Sequence, residues 1–395
     1  MIPNSVAAKR CRDWLELLIR CPSENPPGDE SAIAVAVAGR LKALGVEVEL
    51  IGKADRRPNV VARLDSGRPG PRLLWQAHLD TKPASGSRSE EKAWHSDPFQ
   101  PMWRKGRVYG LGAADTKGGA AAQLAAVEWF RANGDWSGEL VWLGCADEEA
   151  GSEFGAAYLL GLGLLEGTAA CVAEPTSLAV STAQLGNAWM EIEVLGRPAH
   201  AGRPREGNDA VEAAESLWNA IRGRLEHSPT DDRFPDHPRL NIGRIAGGTH
   251  QGSVPGFCNA KIDIRVLPEQ DRESLYQLVD DAATEVERER GVTIRTKPVD
   301  GGGCESHSVP ILEPWSQALS AARIVVVPEI EESSHGFAGG TDARFFAKAG
   351  TPAVVFGPGD LAQAHAPNEF VPFGEVVLAA RILSGAAGSF LRPTG

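Results

Sequence analysis

Leu73-Leu74-Trp75-Gln76-Ala77-His78-Leu79-Asp80 is an apolar run that ends in His-x-Asp. A short apolar run bounded by polar residues reads as a buried strand, and open α/β sheets bind ligands at the carboxyl ends of such strands. Around it, residues 32–44 read as a helix and 59–64 and 72–77 as strands. Residues 118–132 read as an alanine-rich helix stopped by Asn133-Gly134, and 139–145 as a further apolar strand. Alternation of this kind predicts an α/β domain with helices on both faces of a sheet. Near the amino terminus Trp14, Leu15, Leu18 and Ile19 recur at helical spacing among charges. That end reads as an amphipathic helix rather than a signal peptide.

From residue 183 the pattern changes. Residues 188–195 read as a strand, 209–225 as a helix, 239–246 and 257–266 as strands, 271–290 as a helix and 292–299 as a strand. The order β-α-β-β-α-β is that of a ferredoxin-like domain. The α/β pattern then resumes with helix 315–322, strand 353–356 and helix 375–386. The expectation is a catalytic α/β domain formed by 1–182 and 298–395, with a ferredoxin-like (βαββαβ) domain, 183–297, inserted into it. A chain of 395 residues is long enough for two cores.

The net charge of −12 and the absence of basic runs argue against nucleic acid as a partner. No run of 18 apolar residues exists, so no membrane span is expected. The six cysteines are far apart and form no CxxC pair, which fits free thiols and a cytoplasmic location.

Five segments carry candidate chemistry. His78-Leu79-Asp80 offers an imidazole with a carboxylate two residues on that could hold its second nitrogen, although a lone His-x-Asp is more often a surface hydrogen bond. Gly110–Gly119 opens the alanine-rich helix and contains Asp115. It reads as a glycine turn with a helix cap, as a poor match to a phosphate loop, or as a carboxylate held between two metals. Asp147-Glu148-Glu149 follows a buried strand; such a triplet is commonly a solvated loop unless a dication balances it. Glu174-Pro175 and His365-Ala366-Pro367-Asn368-Glu369 also follow apolar stretches. Imidazole with carboxylate suits zinc, with cobalt or manganese as alternatives, and one bridging carboxylate lets five ligands hold two ions about 3.5–4 Å apart. These residue types alone do not tell Glu148 from Glu149 as ligand or base.

Taken together, His78-x-Asp80, Gly112-Ala-Ala-Asp115-x-Lys-Gly-Gly119, Asp147-Glu-Glu149, Glu174-Pro175, Gly339-Gly-Thr-Asp342 and His365-Ala-Pro-Asn-Glu369 resemble the M20 family of metallopeptidases and deacylases. The resemblance covers nearly the whole chain. It implies a zinc-peptidase-like catalytic domain whose insert serves as lid and dimerisation domain. It implies two Zn2+ ions, with Asp115 bridging them, His78 and Glu174 completing one site, and Glu149 and His365 the other. Asp80 would orient His78, Glu148 would be the general base, and the Asp115–Thr116 peptide would be cis. In the insert, His200 would reach the active site of a partner subunit and stabilise an oxyanion. Asn241 and Arg265 would hold a substrate carboxylate, and Gly340 and Thr341 would line the pocket. The implied enzyme cleaves the amide bond of an N-acylated amino acid or peptide-like small molecule as a homodimer.

The alternatives are a dipeptidase or aminopeptidase, which Glu174 argues against because such relatives often carry Asp there, and a metal-binding protein without catalysis. The sequence departs from the resemblance at Leu111, at Thr116 and at Lys82, which stands where an apolar residue is usual. Lys82 has two open readings: it meets an acidic group of the substrate, or it points to water. His95, His227, His237, His250, His307 and His335 match no ligand position.

Overall fold

Alternate residues of strand Arg72–His78 face two different cores. Trp75 and Ala77 join a cluster with Trp14, Leu124 and Trp142, while Leu74 joins Val141, Leu143 and Phe346 on the opposite face. A strand whose two faces are both covered reads as a continuous apolar run instead of an alternating one, which is why the run 73–77 looks as it does. The computed structural model describes residues 1–84, 94–133, 135–236, 238–299, 303–329 and 335–392. The chain divides into two compact units: Met1–Thr182 with Val309–Phe337 and Thr341–Gly395, and Ala183–Ser308 with Ala338–Gly340. The second unit thus runs to Ser308 and takes in a short return segment, beyond the stretch that periodicity marks.

In the first unit the sheet order is Glu47–Gly52, Pro58–Asp65, Glu139–Cys145, Arg72–His78, Ala169–Val172, Ala353–Val355, followed by the strand that begins at Ser181. The four central strands, Glu139–Cys145 to Ala353–Val355, run parallel. Helices Asn4–Ile19, Gly118–Ala132, Pro314–Val326 and Phe373–Phe390 cover one face. Ala156–Gly161 and Ala343–Lys348 cover the other. Phe373–Phe390 is long and apolar enough to cross a membrane by length and composition. Its Val376, Ala379, Ala380, Ile382, Leu383 and Ala386 are buried in the large core, so here it is a core helix.

The second unit is a four-stranded antiparallel sheet in the order Leu240–Gly247, Phe257–Val266, Gly186–Leu195, Thr293–Pro298. Helices Ala210–Leu225 and Arg272–Arg290 pack on it through a core of Leu217, Ile221, Val279, Met190 and Ile262. Each helix starts on an aspartate whose carboxylate accepts from the first free amides: Asp209 from Val211 N and Glu212 N, Asp271 from Glu273 N. The chain order of these six elements is β-α-β-β-α-β.

Candidate active site

Four parallel strands deliver their carboxyl ends to one side of the first unit's sheet. His78 ends Arg72–His78; Asp147, Glu148 and Glu149 follow Glu139–Cys145; Glu174 follows Ala169–Val172; His365 lies on the loop after Ala353–Val355. Asp115 comes from the tight turn Ala113–Lys117, which opens helix Gly118–Ala132. Gly112 enters that turn at φ 76°, and a Cβ there would stand 2.6 Å from Thr81 Cγ2, so only glycine fits. The Asp115–Thr116 peptide is cis.

His78 Nδ1 lies 2.9 Å from the backbone oxygen of Asp80, and Nε2 lies 2.9 Å from Asp115 Oδ1. A carbonyl only accepts, so Nδ1 carries the proton and Nε2 is the nitrogen left to offer a lone pair. Asp80 meets Nδ1 through its side chain as well as its carbonyl. That carboxylate stands 3.5 Å from Nδ1. It also accepts from Glu148 N and Glu149 N, each at 3.1 Å, and from Asn25 Nδ2 at 2.9 Å. A fully buried carboxylate goes where unpaired N–H groups are, and the Asp147–Glu149 turn supplies two. Asp80 therefore fixes the His78 ring and the acidic turn together.

His78, Asp115 and Glu174 offer ligand atoms that all lie within 4.8 Å of one another, and so do Asp115, Glu149 and His365. His365 Nε2 is 3.0 Å from Glu149 Oε2 and 3.3 Å from Asp115 Oδ2. Burial pushes the Glu174 carboxyl well above the usual range, and the Asp115 charge adds to it. Burial also pushes half-buried Glu148 up to about 8, with Asp342 and Glu149 adding to the shift. Burial would raise Asp115 too, but hydrogen bonds from His365 and His78 outweigh it and hold Asp115 well below the carboxylate range. Asp115 and Glu149 in turn raise His365 to about 10. Four acids thus crowd two imidazoles with too little positive charge between them. A nitrogen and oxygen donor set of this kind fits two divalent ions that share Asp115.

Several supporting residues carried no assigned role in the sequence. Glu369 accepts from Gly112 N and Ala114 N at 2.8 Å and from Asp115 N at 3.0 Å, clamping the turn that presents Asp115. Asp147 (φ 68°) accepts from Arg57 Nη2 at 2.7 Å, Asn25 Nδ2 at 3.0 Å and Phe154 N at 3.1 Å. Buried Asp342 accepts from Gln76 Nε2 at 2.9 Å and Ser152 Oγ at 2.5 Å. Glu369 and Asp342 sit inside quoted motifs and could have been suspected there. Asn25 and Arg57 gave no signal. Lys82 Nζ donates to the Glu149 carbonyl and lies 3.2 Å from Glu149 Oε2.

The remaining candidates fall elsewhere. In the second unit, His200 is exposed at the end of strand Ala199–His200 and accepts from Gly202 N. Asn241 is exposed on Leu240–Gly247, and Arg265 pairs with Asp263 at 3.1 Å. Gly340 backs onto Cys304, whose Sγ a Cβ would overlap. In the first unit, buried Thr341 accepts from Ala343 N, and its carbonyl accepts from Arg344. His95, His227, His250 and His307 belong to neither ligand group. His237 and the side chain of His335 lie outside the described residues.

Residues 74–388 match the model of peptidase family M20/M25/M40. The chain belongs to that family, and with it to the metal-dependent hydrolases that act on amide or peptide bonds. It is 31% identical over 371 residues to an acetylornithine deacetylase of Vibrio cholerae, covering 91% of each chain. Its fold is similar to a tripeptidase of Staphylococcus aureus, with TM-score 0.77, 21% identity, and 98% and 99% of the two chains covered. It is also similar to a dinuclear metal binding peptidase of the M20 family from Bacillus subtilis, with TM-score 0.71, 16% identity and the same coverage.

Proposed function

We propose that this chain is a dinuclear zinc hydrolase that cleaves the amide bond of an N-acylated amino acid or a similar small amide. The observation that carries the reading is the pair of three-residue ligand groups sharing Asp115, in a family of amide and peptide hydrolases. His78, Asp115 and Glu174 would hold one ion, and Asp115, Glu149 and His365 the other; Co2+ and Mn2+ suit the same donors. Two ions held there would supply Lewis acidity to an amide carbonyl and lower the pKa of a bound water from 15.7 to about 7. Glu148 lies beside ligand Glu149, takes the water's proton as it attacks, and returns it to the leaving amine. Asp80 keeps Glu148 and Glu149 in place through their amides.

His200, supplied by a partner subunit, donates to the oxyanion, so the active form is a homodimer. Asn241 and Arg265 take the substrate carboxylate, and Gly340 and Thr341 face the substrate through their backbones. The deacylase assignment within the family draws on the acetylornithine deacetylase relative. Six unbridged thiols suit a cytoplasmic setting.

The test is a hydrolysis screen of N-acyl amino acids against free dipeptides, with zinc-, cobalt- and manganese-loaded protein. Faster turnover of acylated amino acids supports the assignment. Turnover of dipeptides alone replaces it with a peptidase, and metal binding without hydrolysis of either class replaces it with a binding protein.

A further inference from the structure

The two ligand groups are not equivalent. The first, His78, Asp115 and Glu174, is buried throughout. Among the described residues no Lys or Arg pairs with Glu174; the charges that act on it are His78 and the neighbouring acids. The second group is the more open one, through His365: its side chain is 50% exposed, while the Glu149 side chain is only 5% exposed. It is also the group with an ammonium already in place. Lys82 Nζ sits 3.2 Å from Glu149 Oε2 and donates to the Glu149 backbone carbonyl as well. Two anchors on one residue hold that cation beside the carboxylate. Lys82 is two residues beyond Asp80, whose carboxylate fastens the Glu149 amide, so the same short loop grips Glu149 from both sides.

Site affinity for a hard or borderline dication follows the net charge of its ligands and the readiness of water to compete. An ammonium at contact distance offsets part of the Glu149 charge. An incoming dication must push Lys82 aside or sit beside it in repulsion. The exposed His365 leaves the same site open to water. Charge and exposure therefore point in one direction.

We propose that Lys82 is a positioning residue that sets the two metal sites apart in affinity. The His78–Asp115–Glu174 site fills first and tightly. The Asp115–Glu149–His365 site holds a weaker ion that exchanges with free metal. This inference rests on the dinuclear reading above and adds the order of loading and the residue responsible for it.

The experiment is a Zn2+ titration of metal-stripped full-length protein against a competing chromophoric chelator, for wild type, Lys82→Met, Lys82→Gln and Lys82→Arg. The wild type should show two dissociation constants. Lys82→Met should tighten the weaker by about 10-fold or more while leaving the tighter within about twofold. Lys82→Gln keeps a donor for the Glu149 carbonyl without the charge, and should follow Lys82→Met. Lys82→Arg should follow the wild type. If both uncharged variants bind two ions with the weaker constant unchanged or weakened further, this inference is overturned and the dinuclear site stands. If the wild type takes up no Zn2+ in either site, the dinuclear reading is overturned as well.

Discussion

Glu148 and Glu149 are adjacent carboxylates on one turn, but they have different neighbours. Glu149 approaches His365 and shares a ligand group with Asp115, while Glu148 belongs to neither ligand group. Glu148→Ala should therefore keep both ions, by elemental analysis, and lose turnover by about 100-fold or more. Glu149→Ala should lose one ion per chain. Wild-type turnover in Glu148→Ala would remove the general-base role. At this scale the sequence was legible where a member of a candidate ligand group is the polar residue that closes an apolar run, as at His78 and Glu174. It was silent where a role depends on contacts between distant positions. Glu369 clamps amides more than 250 positions earlier in the chain; its motif could raise suspicion of a role but not name those partners. The carbonyl acceptor of His78 was also hidden, because a backbone carbonyl is the same at every residue.

The elements that hold the acidic turn come from the amino-terminal third. The segment before helix Ser31–Ala43 supplies Asn25 and Glu30, and the approach to strand Pro58–Asp65 supplies Arg57. Arg57 donates to Glu30 through Nε at 2.7 Å and Nη2 at 3.0 Å, and to Asp147 at 2.7 Å. Removing one partner from so buried a cluster typically costs about 3–5 kcal/mol. Burial and the Asp80 charge push Glu30 from 4.5 up to about 7 despite Arg57. A carboxyl raised on folding binds its proton more tightly in the folded state. Its contribution is full below about 4.5 and is lost as the pH rises through about 7. Glu30→Gln lacks that titration. The stability of wild type minus that of Glu30→Gln, from denaturant melts, should thus fall as the pH is raised across this window. A difference that rises over the same window would contradict the assignment.

Helices and strands with a long period were readable, but their ends were not. The helix expected at 375–386 runs from Phe373 to Phe390, because Pro372 gives it an extended start. The hairpin Met102–Arg104 and Arg107–Tyr109 was missed, since three residues are too few to show a period.

Over the whole chain the parallel sheet and the antiparallel βαββαβ sheet were both visible, because hydrophobic period and connection order differ so plainly between them. The end of the second unit was harder: its closing segments, up to Ser308 and at Ala338–Gly340, have no period of their own. If His200 serves the site of a partner subunit, the assembly and not the single chain is the catalyst. Mixing inactive His200→Ala with inactive Glu148→Ala protein should then restore turnover through hybrid dimers. No recovery after subunit exchange, verified by native mass spectrometry, would confine His200 to its own chain or to no role. Metal should also stabilise the fold, since ions that bind only the native state raise the melting temperature with their concentration.

The most direct test is anomalous diffraction at the zinc edge from crystals of the zinc-loaded protein. Two peaks about 3.5–4 Å apart are predicted, one among His78, Asp115 and Glu174 and the other among Asp115, Glu149 and His365. Stoichiometric zinc located away from these five side chains, or no peak among them, would contradict the account.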